Sequence, residues 1–475
     1  MSDDGLTAGR LNARLDRIPV WALPNLFAFI IGIGFLFTFY DIFDINVSFI
    51  QTCVALVPGC TAETSAQYLG LPVLLNLLGY VVGTLLLSPL ADRMGRRDLL
   101  LVTMIITGIG SALTGVVDSY SLFIAGRVLT GVGIGADLAI VNTYITEMAP
   151  KGARARYTSL IFIFSALGAV LGIWMGLFLT TPAAPFPLGL PFAVAGASFD
   201  YGWRVMYLFG GLLALMGILL RFQLPESPRW LITKGRLAEA EEVIVYMEER
   251  AHEKNALPPV PEPEPKPAPP EQAMPYSAIF RNRTYRNRSL LLLAIWFFGY
   301  ITIYSFSAGL TTLLSALHYP PPEAGLITAM GTFGFVFCAV IAYAFGESME
   351  RKLWALLAAV ITVAGGVMIA RAGAELWYAI VGAMILFFGF NVWVPIMYTR
   401  SAEYYPTRAR TTGFALVDGL GHVGGGLGLF VIAPLVPQMS VLGAMLLISG
   451  FLVIAAVLSQ FGLNSRNKLL EEISP

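Results

Sequence analysis

Two aspartates, Asp41 and Asp44, stand three residues apart in TFYDIFDIN (38–46), inside a run that is otherwise apolar. On a helix that spacing puts both carboxylates on roughly one face. Arg127 and Asp137 interrupt a later apolar run, and His422 another. A charge at the centre of a bilayer costs at least about 2.5 kcal/mol. In a membrane such groups pair, titrate or line a polar path. A carboxylate beside an arginine does the first two: pairing lowers the cost of both charges, and protonating the carboxylate releases the arginine. The chemistry these residues suggest is a proton-controlled latch.

The elements that must hold them are membrane helices. Of 475 residues, 56% are hydrophobic and 13% charged, against about 25% charged in soluble domains. Mean hydropathy is +0.72. Twelve apolar runs are each about long enough to span a bilayer, at about 22–51, 68–90, 98–117, 121–147, 155–181, 203–223, 289–317, 323–346, 352–371, 376–399, 409–435 and 441–461. No cleavable signal peptide is evident: the first apolar run is too long and lacks a small-residue cleavage site. Arg10, Arg14, Arg17, Arg93, Arg96, Arg97, Lys151, Arg154 and Arg156 fall on one side, while segments 52–67, 118–120, 182–202 and 436–440 hold no Lys or Arg. That segregation predicts a multi-pass cell-membrane protein with both termini cytoplasmic. The net charge of zero says nothing about partners.

The chain divides into a first half at 1–223, a linker at 224–288 and a second half at 289–475. In the linker, RLAEAEEVIVYMEERAHEK (236–254) predicts an amphipathic surface helix, and PPVPEPEPKPAPPEQ (258–272) an extended proline-rich stretch. Similar segments recur in register: PLADRMGRRDLL after span 2 and FGESMERKLWAL after span 8, then TEMAPKGARARYTS after span 4 and AEYYPTRARTTG after span 10. The expected fold is an all-α integral membrane protein, twelve transmembrane helices in two six-helix bundles that rock about a central site.

These segments resemble the major facilitator superfamily, and within it the sugar-porter and metabolite–proton symporter branch. PLADRMGRR (89–97) is similar to the family's loop between spans 2 and 3, with Ser88 where Gly is usual. RVLTGVGIG (127–135) fits the span-4 pattern, PESPRWL (225–231) the segment after span 6, and AEYYPTRAR (402–410) that after span 10. The resemblance implies that Asp41, in the Tyr40-Asp41 dipeptide, pairs with Arg127 as the proton latch. It also matches Asp137 to an aspartate of proton–phosphate carriers. Two departures bear on the substrate. The Gln-Gln pair of hexose porters is missing from WFFGYITIYSFSAG, and Tyr300 stands where phosphate carriers have Asp. Paired carboxylates late in span 1 are similar to those of aromatic-acid symporters, which leaves organic anions or sugar acids as the leading class.

Depth supports the latch: Asp41 lies roughly 15 Å and Arg127 roughly 9 Å below the outer surface at 1.5 Å per residue. A static structural ion pair is the alternative. Asp44, one turn further out, reads as a gate residue or one facing outside water ahead of a second protonation site. Asp137 is either a coupling group or a polar packing contact. His422 is either a proton carrier and anion donor or a hydrogen-bonded core residue, with Asp418 placed to orient it. Trp296, Tyr300 and Tyr304 on span 7, with Asn391, Trp393 and Tyr398 on span 10, are expected to line the substrate site. Asp92, Arg93, Arg96, Arg97, Glu147, Arg156, Glu226, Arg229, Glu403, Arg408 and Arg410 are expected to form a conformational gate at the inner face. Cys53 and Cys60 share an outer loop and are either bridged or free thiols; Cys338 reads as packing.

There is no P-loop, and three histidines do not suggest a metal cluster, so neither an enzyme nor a cofactor is expected. The glycines of span 4 read as close helix contacts. The expected partners are a small solute, protons and membrane lipid, with no nucleic acid and a monomeric state. The function these features imply is proton-coupled import of a small polar organic solute, an organic anion such as a sugar acid or aromatic acid. The alternatives are a proton-coupled sugar symporter, a proton antiporter exporting drugs or metabolites, and a non-transporting solute sensor.

Overall fold

The computed structural model describes residues 7–19, 22, 25–149, 154–194, 199–254, 257–260, 275–345, 348–373 and 375–464. Twelve helices are long and apolar enough to cross a membrane: Leu26–Phe43, Ala66–Met94, Arg96–Val116, Tyr120–Ile145, Leu160–Thr180, Gly202–Arg221, Arg283–Ser307, Pro321–Ala342, Arg351–Arg371, Leu376–Ser401, Thr412–Gln438 and Val441–Gln460. They are spans 1 to 12. Serines set some of their starts. Ser119 and Ser440 accept hydrogen bonds from the amides of Leu122 and Gly443, capping spans 4 and 12.

The packing repeats between the halves. Spans 1·5, 1·6, 2·4, 3·4 and 3·6 pack in the first half; spans 7·11, 7·12, 8·10, 9·10 and 9·12 are their counterparts in the second. The halves meet through spans 2·11 and 5·8, the same pairing seen from either side. Two six-helix bundles therefore face each other across a pseudo-two-fold. The span-4 glycines act by close approach. A Cβ on Gly131 would sit on the carbonyl oxygen of Asn76 in span 2, and one on Gly133 on the hydroxyl of Thr107 in span 3.

Spans 1 and 7, expected as unbroken stretches, are both interrupted. Span 1 stops at Phe43 and resumes as Ile45–Leu56; span 7 stops at Ser307 and resumes as Leu310–Ala316. The first break has a visible cause. The Asp41 carbonyl, which would accept from the Ile45 amide in a continuous helix, is taken by Arg127 Nη2 at 2.7 Å. The second falls at Ala308-Gly309. Discontinuous helices at matching positions of two repeats are where transporter sites are usually built.

One face of the molecule carries the arginine-rich segments (the basic face); the other carries the bridged Cys53 and Cys60, whose Cα atoms are 5.9 Å apart (the disulfide face). On the basic face the helix Ala8–Asp16 lies against Leu237–Lys254, with Arg14 and Arg17 both 2.7 Å from Glu248 and Arg14 3.0 Å from Glu241. The expected linker helix is thus present and docked. The proline-rich stretch falls largely outside the described residues.

Candidate functional site

The first half buries two ion pairs. Arg127 of span 4 is 1% exposed, and its Nη1 donates to Asp44 Oδ1 at 3.2 Å. The partner expected from the resemblance was Asp41. Asp41 instead offers Arg127 its backbone carbonyl, while its carboxylate Oδ1 lies 2.8 Å from Ser111 Oγ of span 3. The correction follows from helix geometry: the side chain one turn outward reaches the guanidinium, and the inner residue presents its backbone. Asp44 is 0% exposed, so it does not face outside water. Arg127 also lies over the Tyr207 ring, 5.5 Å from its centroid.

The second pair was not foreseen as such. Asp137 is held by Arg221 of span 6, with Nη1–Oδ1 2.5 Å and Nη2–Oδ2 3.0 Å. Thr103 donates to Asp137 at 2.9 Å and Thr38 at 3.3 Å, and Arg221 also donates to the Leu100 carbonyl at 2.9 Å. Both partners are 1% exposed. Arg221 was missed because an arginine in the last turn of a helix reads as a terminal cation. Its place within an apolar run is the signal that could have found it, by the same rule that singled out Asp137.

Between the halves lies a cavity with about 560 Å³ of space not filled by atoms, part of it open to solvent. Phe39, Ile42 and Phe43 of span 1 and Phe162 of span 5 line one side. Tyr300, Tyr304 and Ser307 of span 7, Phe335 of span 8, Asn391 and Tyr398 of span 10, and His422 of span 11 line the other. Tyr300, Tyr304, Asn391 and Tyr398 thus stand where the sequence reading expects a lining. Trp296 and Trp393 do not. Trp296 Nε1 donates to Ser401 Oγ at 2.9 Å, and Trp393 packs edge-on against it at 4.9 Å between ring centroids. Both are fully buried behind the tyrosines, where an indole fills volume that a phenol leaves. Arg127, Asp41 and Asp137 are likewise behind the lining, because their partners on spans 3, 4 and 6 turn them into the bundle. The phenylalanines escaped the sequence reading because phenylalanine in a membrane helix carries no polar signal.

Asp418 carries more than the expected orienting role. Its Oδ1 accepts from Tyr300 Oη at 2.5 Å and its Oδ2 from Tyr80 Oη of span 2 at 3.2 Å. The carboxylate that phosphate carriers place on span 7 is therefore not lost from this neighbourhood. A carboxylate stands on span 11, and Tyr300 reaches it.

The cavity is closed toward the disulfide face by Asn46. Its Nδ2 donates to the carbonyls of Phe306 at 3.0 Å and Ser307 at 2.6 Å, and its Oδ1 accepts from the Thr311 hydroxyl at 2.7 Å. These bonds join the two interrupted helices. On the basic face, Arg96 is 2.9 Å from Asp92 and 3.0 Å from Glu147. Glu226 accepts from the amides of Arg96 and Ser227, and Arg97 donates to the Phe222 carbonyl. Burial holds the Glu226 carboxyl above its ordinary range against the pull of those amides. Arg351 meets Glu403 at 3.3 Å, and Arg229 meets Asp16 at 2.5 Å. Arg93 is exposed. Arg96 thus pairs within the first half and Arg351 within the second, while Arg229 of the linker joins Asp16. The side chains of Arg156, Arg408 and Arg410 lie outside the described residues.

Comparison with known proteins agrees with this architecture. The family described as "Sugar (and other) transporter" matches residues 27–474. The niacin transporter NiaP of Acinetobacter baylyi is 24% identical over 98% of this chain and 99% of its own. The 4-hydroxybenzoate transporter PcaK of Pseudomonas aeruginosa is 30% identical over 76% of this chain and 75% of its own. Among solved structures, the xylose transporter XylE from E. coli, in a partially occluded inward-open conformation, superimposes with a TM-score of 0.70 at 19% identity. It covers 94% of this chain and 99% of that one, a likeness of fold. With the family matched over nearly its whole length and the fold shared end to end, the chain belongs to the Sugar (and other) transporter family of the major facilitator superfamily, multi-pass secondary transporters of metabolites rather than enzymes.

Proposed function

We propose that the protein is a proton-coupled symporter that imports an aromatic or heteroaromatic monocarboxylate by alternating access. The cavity carries this reading. Six phenylalanine and tyrosine rings of the second half and span 1 form slots for a flat ring, and the polar atoms are few and grouped on spans 7, 10 and 11. A neutral polyol needs many hydrogen-bonding partners around its whole rim, and this lining does not supply them. The names of two relatives, transporters of niacin and 4-hydroxybenzoate, point the same way.

Coupling is assigned to Asp41, beside the Asp44–Arg127 pair. Ser111 Oγ lies 2.8 Å from Asp41 Oδ1 and 2.9 Å from the Tyr207 carbonyl. One hydroxyl proton serves one acceptor. Both contacts are satisfied when Asp41 carries a proton and donates it to Ser111. With the termini in the cytoplasm, Asn46 closes the outer side. The state is then inward-facing, with Asp41 still loaded.

Binding tests this reading without requiring transport. A ligand at a hundred times its Kd stabilises the folded state by about 2.7 kcal/mol. In a thermal-shift panel, 4-hydroxybenzoate and nicotinate are expected to raise Tm, and xylose and gluconate to leave it unchanged. Stabilisation by the sugar and none by the acids would overturn the proposal.

A further inference from the structure

We propose that His422 and Asp418 form a second proton site, in the second half, and that the protonated imidazole receives the carboxylate of the transported acid. This rests on the aromatic-acid reading above and adds the residue that recognises charge and the number of protons carried.

His422 Nδ1 lies 2.7 Å from the Asp418 backbone carbonyl. A carbonyl only accepts, so Nδ1 carries the hydrogen. That turns one edge of the ring to its own helix and leaves Nε2 on the edge offered to the cavity, which His422 lines. The ring is packed between Tyr80 and Tyr300, at 3.9 and 4.0 Å between centroids. These contacts fix its direction.

The charge balance supplies the second half of the argument. The Asp418 carboxylate accepts two phenol hydrogens, from Tyr300 and Tyr80, and so behaves as the ionised form. Among the described residues it has no arginine or lysine partner. The groups around the imidazole are Asp418 on its own helix, Tyr80 on span 2, Tyr300 and Tyr304 on span 7, and Tyr398 on span 10. They comprise one carboxylate and four phenols. Asp418 Oδ1 is 3.9 Å from Nδ1, within reach of attraction between opposite charges. One proton taken up at Nε2 converts a lone buried carboxylate into a neutral imidazolium–carboxylate pair. The new N–H then points at the ligand. Among the lining residues, His422 alone can become a cation. An entering carboxylate and an entering proton therefore favour each other, which is symport by linkage.

With Asp41 carrying one proton and His422 another, each monocarboxylate enters with two protons and one net positive charge. The test is charge movement per acid in proteoliposomes holding the full-length protein, with 4-hydroxybenzoate as probe. Wild type is expected to show inward positive current with uptake. His422→Gln is expected to bind the acid at least about tenfold more weakly and to carry it without current.

A packed histidine variant could fail to fold, so imidazole NMR of wild type gives a second readout. His252 and His318 lie outside the spans, which separates their resonances from that of His422 by assignment. The His422 midpoint is expected to rise when the acid is added and to fall in Asp418→Asn. Acid uptake with unchanged charge per acid in His422→Gln, or a midpoint indifferent to both acid and Asp418→Asn, would overturn this proposal alone. A wild type that takes up no acid would overturn the aromatic-acid reading and the carboxylate receptor with it.

Discussion

In the first half, Asp44, Arg127, Asp137 and Arg221 are paired with one another behind the cavity wall; in the second, Tyr300, Tyr304, Tyr398 and His422 are the wall. The two bundles share one helix-packing scheme, yet one uses its polar groups to hold charge and the other to meet a ligand. The difference lies in which helix faces carry them. Buried ion pairs with several hydrogen bonds are costly to break and well suited to a discrete switch. Phenols and an imidazole among rings are cheap to desolvate and suited to recognition.

That contrast can be broken from the first half. Arg221→Met leaves Asp137 as an uncompensated buried charge, and loss of one partner of such a pair costs about 3–5 kcal/mol. Thermal unfolding in detergent is expected to show a large drop in Tm. Combining it with Asp137→Asn is expected to recover more than half of the loss. A single variant as stable as wild type would mean that the second pair is not a unit.

In the second half, the same kind of change should act on affinity rather than stability. Tyr300→Phe removes a charge-assisted hydrogen bond to Asp418 at the cavity wall, and acid affinity is expected to fall by about tenfold. Trp393→Phe, behind the wall, is expected to lower Tm and leave affinity within about twofold, since among the described residues its Nε1 has no partner to lose. Isothermal titration and a melting curve on both variants separate the two effects.

How much of this was legible in the chain differs between the halves for a physical reason. A charge in an apolar run announces itself, so Asp41, Asp44, Arg127 and Asp137 stood out. Which of them pair was not legible. Spacing places Asp41 and Asp44 on one face, and a single turn of helix decides which carboxylate meets Arg127. The inner-face motifs name Arg96, Glu147 and Glu226, which hydrogen bonds and an ion pair join on the basic face. The lining was half legible: tyrosines at helical spacing on span 7 carry polar atoms that need partners, whereas Phe39, Phe43, Phe162 and Phe335 look like any lipid-facing residue. The breaks in spans 1 and 7, at Asp44 and at Ala308-Gly309, were illegible because neither carries a proline and a single glycine is tolerated within a helix.

Asn46 joins the halves, so it sharpens the comparison at their boundary. Asn46→Ala removes the bonds to Phe306, Ser307 and Thr311. Losing about 1.4 kcal/mol of closure shifts a two-state balance tenfold. Spin-label distances across the disulfide face are expected to show a new, longer population; an unchanged distribution would mean that packing alone closes that side.

The smallest effect is expected at the docked terminal helix. Burial pushes the Glu248 carboxyl up, but Arg14 and Arg17 hold it below its usual range. A carboxyl whose folded pKa is depressed contributes stability above its unfolded value and loses it as pH falls through the folded value. Glu248→Gln is expected to speed amide exchange across Ala8–Asp16 at neutral pH. The difference between variant and wild type is expected to shrink as pH falls below the ordinary carboxylate range and the wild-type carboxyl takes up its proton.

The central claim is that Asp41 in the charged half drives accumulation of an acid held by the aromatic half. It is tested most directly by uptake of radiolabelled 4-hydroxybenzoate into proteoliposomes under an imposed pH gradient, acidic outside, for wild type and Asp41→Asn. The account predicts that wild type concentrates the acid with inward positive charge, while Asp41→Asn, left with the His422 proton alone, concentrates it several-fold less and without current. Accumulation by Asp41→Asn equal to that of wild type, or concentration of xylose with every acid ignored by wild type, would contradict it.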